Sequence, residues 1–265
     1  MKIEAIKNNE ISQLLHLQPE GWVDILIPFD FYTKSDFCFP IKFSIDKIII
    51  GIGSAIIHDD VAWLGHIIVH KDYRNNGIGQ LITQTLIDKA NEYNCTTIYL
   101  IATELGEPVY RKKGFMTETR YLFHKNVSQE DWIISDKICP YDKKYKKHFL
   151  YFDRLISGEN RLPHLEQYLN NAFVYDNNNE VEGYYLPELG EGLIIADGDC
   201  AGIELLKLHL KQRTHVVFPI ENKVAQQFLQ QIGFEEVKEV KRMRLGSKRD
   251  VKFENIYSRI GGNVG

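Results

Sequence analysis

The stretch that decides the fold runs Val69-His70-Lys71-Asp72-Tyr73-Arg74-Asn75-Asn76-Gly77-Ile78-Gly79-Gln80. Apolar residues precede it and a helical pattern follows it, which predicts a junction between a strand and a helix. Glycines at 77 and 79 lack Cβ atoms, so the backbone can fold closely around a ligand. The first N–H groups of a helix have no intrahelical partners and, with the helix dipole, favour a phosphate. We therefore predict that this loop binds a phosphate or pyrophosphate, with Arg74 adding a charge-assisted hydrogen bond.

Two apolar runs precede the loop, and a helix and a further strand follow it. Residues 48–57 are rich in isoleucine and end at the turn signal Asp59-Asp60, before the apolar residues 61–69, which predicts an antiparallel hairpin. Residues 80–93 place apolar side chains at helical spacing, and residues 96–102 return to strand composition. The order strand, glycine loop, helix, strand predicts a right-handed βαβ unit with two parallel strands. The predicted fold class is α/β, with a mixed α+β sheet.

Other known glycine loops fit this stretch less well. A Walker loop needs Gly-Lys followed by Ser or Thr, but Gln80 follows Gly79. A Rossmann dinucleotide loop needs three glycines at GxGxxG spacing, and the next glycine after Gly79 is Gly106. An ordinary glycine turn explains a lone GxG equally well, so the loop alone leaves a structural turn and a binding site as alternatives.

Length, charge and cysteine content bound the kind of protein. The chain has 265 residues, which fits two domains. Lys and Arg total 32 against 36 Asp and Glu, for a formal net charge of −4, so we expect no nucleic-acid partner. Four widely spaced cysteines without a CxxC pair predict no metal and reduced thiols in a cytoplasm. The mixed charges of residues 1–7 and the absence of an apolar run of 18 residues predict neither export nor a membrane partner.

A weak internal repeat divides the chain. Residues 103–115 and 222–234 each end in Gly-Phe, eleven and twelve positions after a polar residue, and Gly77-Ile78-Gly79 is echoed loosely by Ala201-Gly202-Ile203. This indicates two copies of one fold, although Gly-Phe after a helix also arises by coincidence. We predict a first domain over residues 1–128, a linker over residues 129–150 and a second domain over residues 151–265.

The loop and a later tyrosine resemble the GNAT superfamily of acyl-CoA N-acyltransferases. Residues 69–79 match its signature V-x-P-x-x-[RQ]-x-x-G-x-G at every defined position except the proline, which is Lys71 here. The family's later motif, a tyrosine four residues before Gly-Phe, matches Tyr110. The resemblance covers about residues 42–125 and implies a GNAT-like fold with two domains in tandem, the second degenerate. It also implies acetyl-CoA as the cosubstrate.

The resemblance implies a role for each residue of the loop. In the family the strand before the loop runs beside the pantetheine arm, the loop amides hold the CoA pyrophosphate, and the neighbouring strand diverges to leave a slot for the thioester. Many relatives have Asn at the position of Thr103, where that neighbouring strand ends. The implied cofactor-binding residues are Ile67, Ile68, Val69, Arg74, Asn75, Asn76, Gly77, Ile78, Gly79 and Gln80.

The same resemblance implies that Tyr110 is the general acid that protonates the CoA thiolate. An ordinary phenol gives a proton to a thiolate at a cost of roughly 2 kcal/mol, which is small beside a catalytic barrier. A core aromatic is the alternative. The Glu that some relatives place eleven residues before the loop arginine is Trp63 here. His66, Glu104 and Glu107 remain as candidate bases, with a structural histidine or a solvent relay as alternatives.

The sequence thus predicts an N-acetyltransferase that moves an acetyl group from acetyl-CoA to a primary amine by direct attack in a ternary complex. The acceptor is a small molecule or a peptide, and neither its identity nor the oligomeric state follows from the sequence. Phe29-Asp30-Phe31-Tyr32 lies where relatives line the acceptor pocket, with Asp30 for a cation. The rival prediction is a non-catalytic acyl-CoA sensor. In the second copy Leu229 stands where Tyr110 stands, so we expect no acyl-CoA there.

Overall fold

A computed structural model describes residues 1–126 and 132–265 of the chain. The chain forms two units, and each gathers segments that are distant in sequence. The first unit comprises Met1–Thr117, Met243–Lys248 and Gly262–Val264, and the second comprises Glu118–Arg242, Arg249–Gly261 and Gly265. The predicted boundary between residues 128 and 129 lies outside the described residues, so the predicted domain limits stay a prediction.

The first unit is built on a mixed sheet. Its strands are β1 (Lys2–Ala5), β2 (Cys38–Ile45), β3 (Ile48–His58), β4 (Val61–Val69) and β5 (Thr97–Ala102), in that spatial order. Its helices are α1 (Leu26–Lys34), α2 (Ile78–Glu92) and α3 (Glu107–Lys112), with 3-10 turns at Asn8–Leu17 and Lys71–Tyr73. Strands β1 to β4 pair antiparallel, and β4 pairs with β5 in parallel.

The βαβ unit predicted around the glycine loop is confirmed. Strands β3 and β4 form the antiparallel hairpin, and α2 crosses from β4 to the parallel strand β5. The buried face of α2 carries Ile82 and Leu86 onto the sheet. Helix and sheet approach closely because β3 has no side chain at Gly53, where an added Cβ would lie 2.9 Å from Cγ2 of Ile82. The mixed α/β fold class follows from this arrangement.

The second unit contains most of the remaining strands and helices. Its strands are β6 (Met116–Lys125), whose first two residues belong to the first unit, β7 (Ile138–Pro140), β8 (Phe173–Asn177), β9 (Glu180–Leu186), β10 (Leu193–Ala196), β11 (His215–Pro219), β12 (Glu235–Gly246), which ends in the first unit, and β13 (Ile256–Ser258). Its helices are α4 (Lys146–Ser157), α5 (Leu162–Leu165), α6 (Asp199–Leu210) and α7 (Lys223–Gln231), with 3-10 turns at Lys143–Tyr145, Glu166–Asn171 and Phe253–Asn255. One sheet has the order β13-β10-β9-β8-β7, and β11 pairs antiparallel with β6.

The internal repeat is present in the backbone of the two units. After α3, the Phe115 N–H donates to the Tyr110 carbonyl at 3.1 Å, and after α7, the Phe234 N–H donates to the Leu229 carbonyl at 2.9 Å. The glycine before each phenylalanine has a positive φ. The same helix-ending turn therefore occurs twice, each time between a strand and the strand that follows.

The predicted echo of the glycine loop in the second unit is displaced along the chain. Helix α6 begins after its N-cap Gly198, which has φ 136°, so Gly198, and no residue of the triplet Ala201-Gly202-Ile203, takes the place of the N-cap Gly77. Gly202 lies inside α6, where an added Cβ would lie 2.0 Å from Cζ of Tyr257. The absence of a side chain at Gly202 therefore leaves room for the ring of Tyr257, which belongs to the same unit.

Strand β13 lies between β10 and β11, the second unit's counterparts of β4 and β5. It pairs antiparallel with β10, and the next residue, Arg259, donates its N–H to the Val217 carbonyl of β11 at 2.9 Å. The side chain of Asn222, fully buried at the end of β11, donates to the Ile256 carbonyl at 3.0 Å. In the internal repeat, Asn222 corresponds to Thr103. In the second unit the chain itself, through β13, therefore occupies the gap between β10 and β11.

Within the two described stretches, no helix combines the length and apolar composition needed to cross a membrane. The same residues bring together no group of three or more His, Cys, Asp or Glu side chains able to hold a metal ion. All four cysteines are free thiols.

Candidate active site

The candidate site begins where β4 and β5 separate. The parallel ladder runs from Val61 opposite Thr97 to Leu64 opposite Leu100, although β4 continues to Val69 and β5 to Ala102. Residues 65–69, including the predicted Ile67, Ile68 and Val69, therefore lie past the end of the ladder. A strand edge of this kind offers backbone N–H and C=O groups to an extended ligand.

Strand β4 carries a bulge at His66. Ser54 pairs with Gly65 and Ile52 with Ile68, so two residues of β4, His66 and Ile67, stand opposite one residue of β3. His66 has φ 51°, a left-handed conformation that costs a non-glycine residue about 1 kcal/mol or more. The extra residue interrupts the alternation of side chains along the strand.

The bulge decides which face of the sheet His66 occupies. Leu64 packs in the core beneath α2, and in an unbroken strand His66 would face the same way. Instead its ring lies against α1, with its centroid 5.6 Å from that of Tyr32. The side chains of Ile67 and Val69 pack with the α2 core. The one inserted residue of the bulge therefore decides the face of His66, which the sequence alone left open.

The loop after β4 leaves backbone groups open at the start of α2. Asn75 and Gly77 have φ of 63° and 78°, and they turn the chain into the helix. Gly77 is the N-cap and no side chain caps the helix. Gly79 has no positive φ, and an added Cβ would meet only Val69, at 3.8 Å. Because packing within the unit does not require glycine at 79, the bare position fits a closely approaching anion such as the CoA pyrophosphate.

The side chains of the loop mostly bind the loop itself. The exposed Arg74 donates from Nε to the Val69 carbonyl at 3.2 Å, and Asn76 donates from Nδ2 to the Tyr73 carbonyl at 3.4 Å. Ile78 is buried in the core beneath α2. The structure thus brings the predicted residues 74–80 together on one turn, where main-chain amides are the groups offered to a ligand.

Tyr110 lies on α3 and is almost fully buried. Its ring meets that of Phe115 edge-on at 6.1 Å and lies against Gly106, where an added Cβ would be 2.9 Å from the Tyr110 hydroxyl. Helix α3 is joined to α2 by a hydrogen bond from Lys113 Nζ to Gln84 Oε1 at 3.0 Å. Burial raises the pKa of Tyr110 to about 12, so giving a proton to a thiolate costs about 5 kcal/mol.

Of the three candidate bases, only His66 lies on β4. Glu104 is exposed in the turn before α3, and the Glu107 carboxylate pairs with Arg111 at 2.7 Å. Trp63, at the position where some relatives carry Glu, is fully buried with its ring 5.0 Å from that of Tyr99. Thr103 accepts the Gly106 N–H on its hydroxyl at 3.2 Å, so this side chain closes the turn.

Aromatic rings enclose His66 on the α1 face. The centroids of Phe29 and Trp22 lie 5.8 Å and 6.2 Å from the imidazole, and Tyr32 bonds to its Nδ1 at 2.9 Å. Burial lowers the pKa of His66 to about 4. The predicted Asp30 is half-exposed and accepts from Lys34 Nζ at 2.6 Å and from Asn8, so its carboxylate is already paired with a cation of this chain.

A contact that sequence reasoning missed links this cluster to the segment Gly262–Val264 of the same unit. Asn263 donates from Nδ2 to the Tyr32 hydroxyl at 2.6 Å. The segment passes over β4 at Gly65, where an added Cβ would lie 2.7 Å from the Cβ of Asn263. No local pattern could have shown it, because Tyr32 and Asn263 are 231 positions apart.

The parted strands, the bulge and the uncapped helix start lie in a part of the chain that is similar to a known family. Residues 3–115 match the model of the Acetyltransferase (GNAT) family. The match includes the glycine loop and Tyr110, and it confirms the resemblance read from the sequence. No curated protein matches the chain in sequence.

Solved structures extend the similarity over both units. A protein of Pyrococcus horikoshii provisionally described as an acetyltransferase is 20% identical, with 100% of this chain and 95% of that one covered and a TM-score of 0.84. A tandem GNAT protein from the clavulanic acid biosynthesis pathway is 12% identical, with 94% and 99% covered and a TM-score of 0.63. An acetyltransferase of the GNAT family from Colwellia psychrerythraea is 13% identical, with 93% and 100% covered and a TM-score of 0.54. The chain therefore has a tandem GNAT fold.

Proposed function

We propose that the first unit is an N-acetyltransferase that moves an acetyl group from acetyl-CoA to a primary amine by direct attack in a ternary complex. The observation that carries this proposal is the end of the β4–β5 ladder at Leu64 and Leu100, followed along β4 by an uncapped helix start. An extended thioester arm and a pyrophosphate need these two features in this order. The acceptor is a small-molecule or peptide amine.

Each predicted residue has a part in this proposal. The backbone of Ile67, Ile68 and Val69 runs beside the pantetheine arm. The cofactor's pyrophosphate is held by main-chain amides at Asn75, Asn76, Gly77, Ile78, Gly79 and Gln80, with the charge of Arg74 beside them.

The chemical step needs one acid and one proton acceptor. The amine nitrogen bonds to the carbonyl carbon, the carbon–sulfur bond breaks, and the thiolate takes a proton from the Tyr110 hydroxyl. The proton lost by the amine passes to solvent, because Glu107 is paired with Arg111 and the low pKa of His66 makes its imidazole a weak base. Tyr110 is then reprotonated from solvent.

Calorimetry with acetyl-CoA tests the binding half of the proposal. Gly79→Trp fills the bare position, so we expect its affinity to fall at least 100-fold, whereas Asn91→Trp, at the exposed far end of α2, should bind like the parent. Equal affinities for the two variants, or no heat with the parent protein, would contradict the proposal.

Release of the CoA thiol with a panel of primary amines tests the catalytic half. We expect release with at least one amine and none without the protein. Binding of acetyl-CoA with no release by any amine would instead identify a non-catalytic acyl-CoA sensor, which the buried Trp63 in place of a carboxylate favours. The four free thiols support a reducing compartment such as the cytoplasm.

A further inference from the structure

Two hydrogen bonds in series lead from Asn263 to the bulge of β4, and their direction follows from the groups involved. The amide nitrogen of Asn263 only donates, so it gives a proton to the Tyr32 oxygen at 2.6 Å. Tyr32 is 1% exposed, and burial raises its pKa well above the usual value, so it keeps its own proton. A buried hydroxyl proton needs an acceptor, and Nδ1 of His66 lies 2.9 Å away.

The direction of this series decides which ring nitrogen of His66 carries a proton. A neutral imidazole has one N–H and one acceptor nitrogen. Because Nδ1 accepts from Tyr32, the proton of the neutral ring is on Nε2. Burial among the rings of Trp22, Phe29 and Tyr32 keeps the imidazole neutral at pH 7, with a pKa of about 4.

The position of His66 adds a second, independent observation. It is the bulged residue just past the last paired positions of β4 and β5, where the proposed thioester slot opens. Its left-handed backbone is strained, and strain of this kind persists where the surrounding structure holds a group in place. A neutral imidazole that donates from Nε2 is a poor base and a good electrostatic partner for a developing negative oxygen.

We propose that Asn263, acting through the Tyr32 hydroxyl, holds His66 with its proton on Nε2, and that His66 donates a hydrogen bond to the acyl carbonyl oxygen during transfer. This rests on the proposed function of the first unit. As the amine nitrogen bonds to the carbonyl carbon, the π electrons move onto the oxygen, which accepts the Nε2–H hydrogen bond without taking the proton. When the carbon–sulfur bond breaks, the carbonyl re-forms and the imidazole is unchanged. Asn263 and Tyr32 are positioning residues, and His66 is the catalytic one.

Nitrogen-15 NMR of the full chain tests the tautomer without any substrate. We expect His66 to be protonated at Nε2 and unprotonated at Nδ1 at pH 7. An ionised carboxylate in Asn263→Asp offers only acceptor oxygens, so above the pKa of that carboxyl Tyr32 must donate to residue 263 and accept from Nδ1. The variant should therefore move the proton to Nδ1. Asn91→Asp, the same change at an exposed site, should leave the ring as in the parent. A proton on Nδ1 in the parent, or no change in Asn263→Asp, would overturn the proposal.

Two substitutions at His66 test its role in the reaction. Asn tolerates a left-handed backbone and keeps an N–H donor, whereas Leu offers neither. Removing a donor to a developing oxyanion typically costs about 10²–10³ in kcat. We expect a loss of that size in His66→Leu, a loss at least tenfold smaller in His66→Asn, and unchanged acetyl-CoA affinity in both. Equal losses in the two variants would identify a base or a structural histidine instead.

These outcomes separate this proposal from the proposed function. If the parent protein does not bind acetyl-CoA, the proposed acyltransferase function is wrong, but the tautomer of His66 can still be measured. If the protein binds acetyl-CoA and turns it over while His66 is protonated on Nδ1, the donor role of His66 is wrong and the proposed acyltransferase function still holds.

Discussion

At the level of single residues, burial sets the chemistry open to Tyr110. Its hydroxyl lies in a nearly closed environment against Gly106, and the raised pKa keeps the phenol protonated at every physiological pH. A phenol of this kind is always available as an acid but releases its proton at a higher cost than an exposed tyrosine. Tyr110 is therefore suited to donating its proton to a strong base, such as a thiolate that forms within the site.

Replacement of Tyr110 tests this role directly. We expect Tyr110→Phe to lower kcat about 100-fold, because a positioned general acid contributes about 10²–10⁴, and to leave acetyl-CoA affinity unchanged. Steady-state kinetics and calorimetry measure the two quantities. In the parent, kcat should show no fall due to Tyr110 deprotonation up to about pH 10, given the pKa of about 12.

The half-exposed Tyr93, at the end of α2, supplies the control, since Tyr93→Phe should leave kcat as it is. If Tyr110→Phe and Tyr93→Phe turn over equally well, Tyr110 is a core aromatic, as the alternative sequence interpretation holds.

At the level of elements, local periodicity explains what the sequence could predict. Strands β3 and β4, helix α2 and strand β5 each carry their own pattern of apolar residues and turn signals over at least six residues. The glycine loop could be placed because it joins two such elements. The tandem arrangement followed from Gly-Phe at equal spacing, and the solved structures confirm it.

The features that could not be predicted depend on distant or very short segments. The bulge leaves no trace in the alternation of Leu64, His66 and Ile68, so sequence alone could not give the face of His66. Strand β13 has three residues, too few for any periodicity, and its neighbours β10 and β11 are far away in the chain. The contact between Tyr32 and Asn263 likewise exists only in three dimensions.

The packing of Tyr257 of β13 onto α6 gives a prediction for stability. A Cβ at position 202 would lie 2.0 Å from the ring of Tyr257, and overpacking of this kind costs about 1–3 kcal/mol. Alanine also favours a helix over glycine by about 1 kcal/mol, which offsets only part of the cost. We expect Gly202→Ala to lower the free energy of unfolding in urea.

Two further variants separate the clash from a general effect. Gly262→Ala, where an added Cβ meets nothing within 4 Å, should unfold like the parent. Adding Tyr257→Leu to Gly202→Ala should cost less than the sum of the two single changes, because the ring that clashes is gone. Strict additivity of the two changes would show that the ring is not the obstacle.

At the level of the whole molecule, each unit carries a histidine whose pKa is lowered to about 4. These are His66 in the first unit and His209 in the second, where burial is the main cause in each case. An unfolded histidine takes up a proton near pH 6.5. Between about pH 6.5 and 4 the unfolded chain therefore binds protons that the folded chain does not, and stability falls as the pH falls.

We expect each histidine to lower the free energy of unfolding by about 2 kcal/mol between pH 7 and pH 5, with no contribution above pH 7. Urea unfolding at pH 7, 6 and 5 measures this slope. His209→Gln should make the slope shallower, whereas His148→Gln, at an exposed position, should leave it unchanged. A slope unaffected by His209→Gln would show that other groups govern the acid response.

Strand β13 makes the occupant of the gap between β10 and β11 a covalent part of the chain. A tethered segment competes at an effective local concentration of about a millimolar or more, and it cannot diffuse away. By mass action, the concentration of a dissolved ligand therefore affects the stability of the two units differently. A dissolved metabolite stabilises a fold in proportion to the logarithm of its abundance, and the first unit would follow the supply of its donor in this way. The second unit carries strand β13 in this gap from the moment it folds, so we expect its stability not to depend on the concentration of acetyl-CoA.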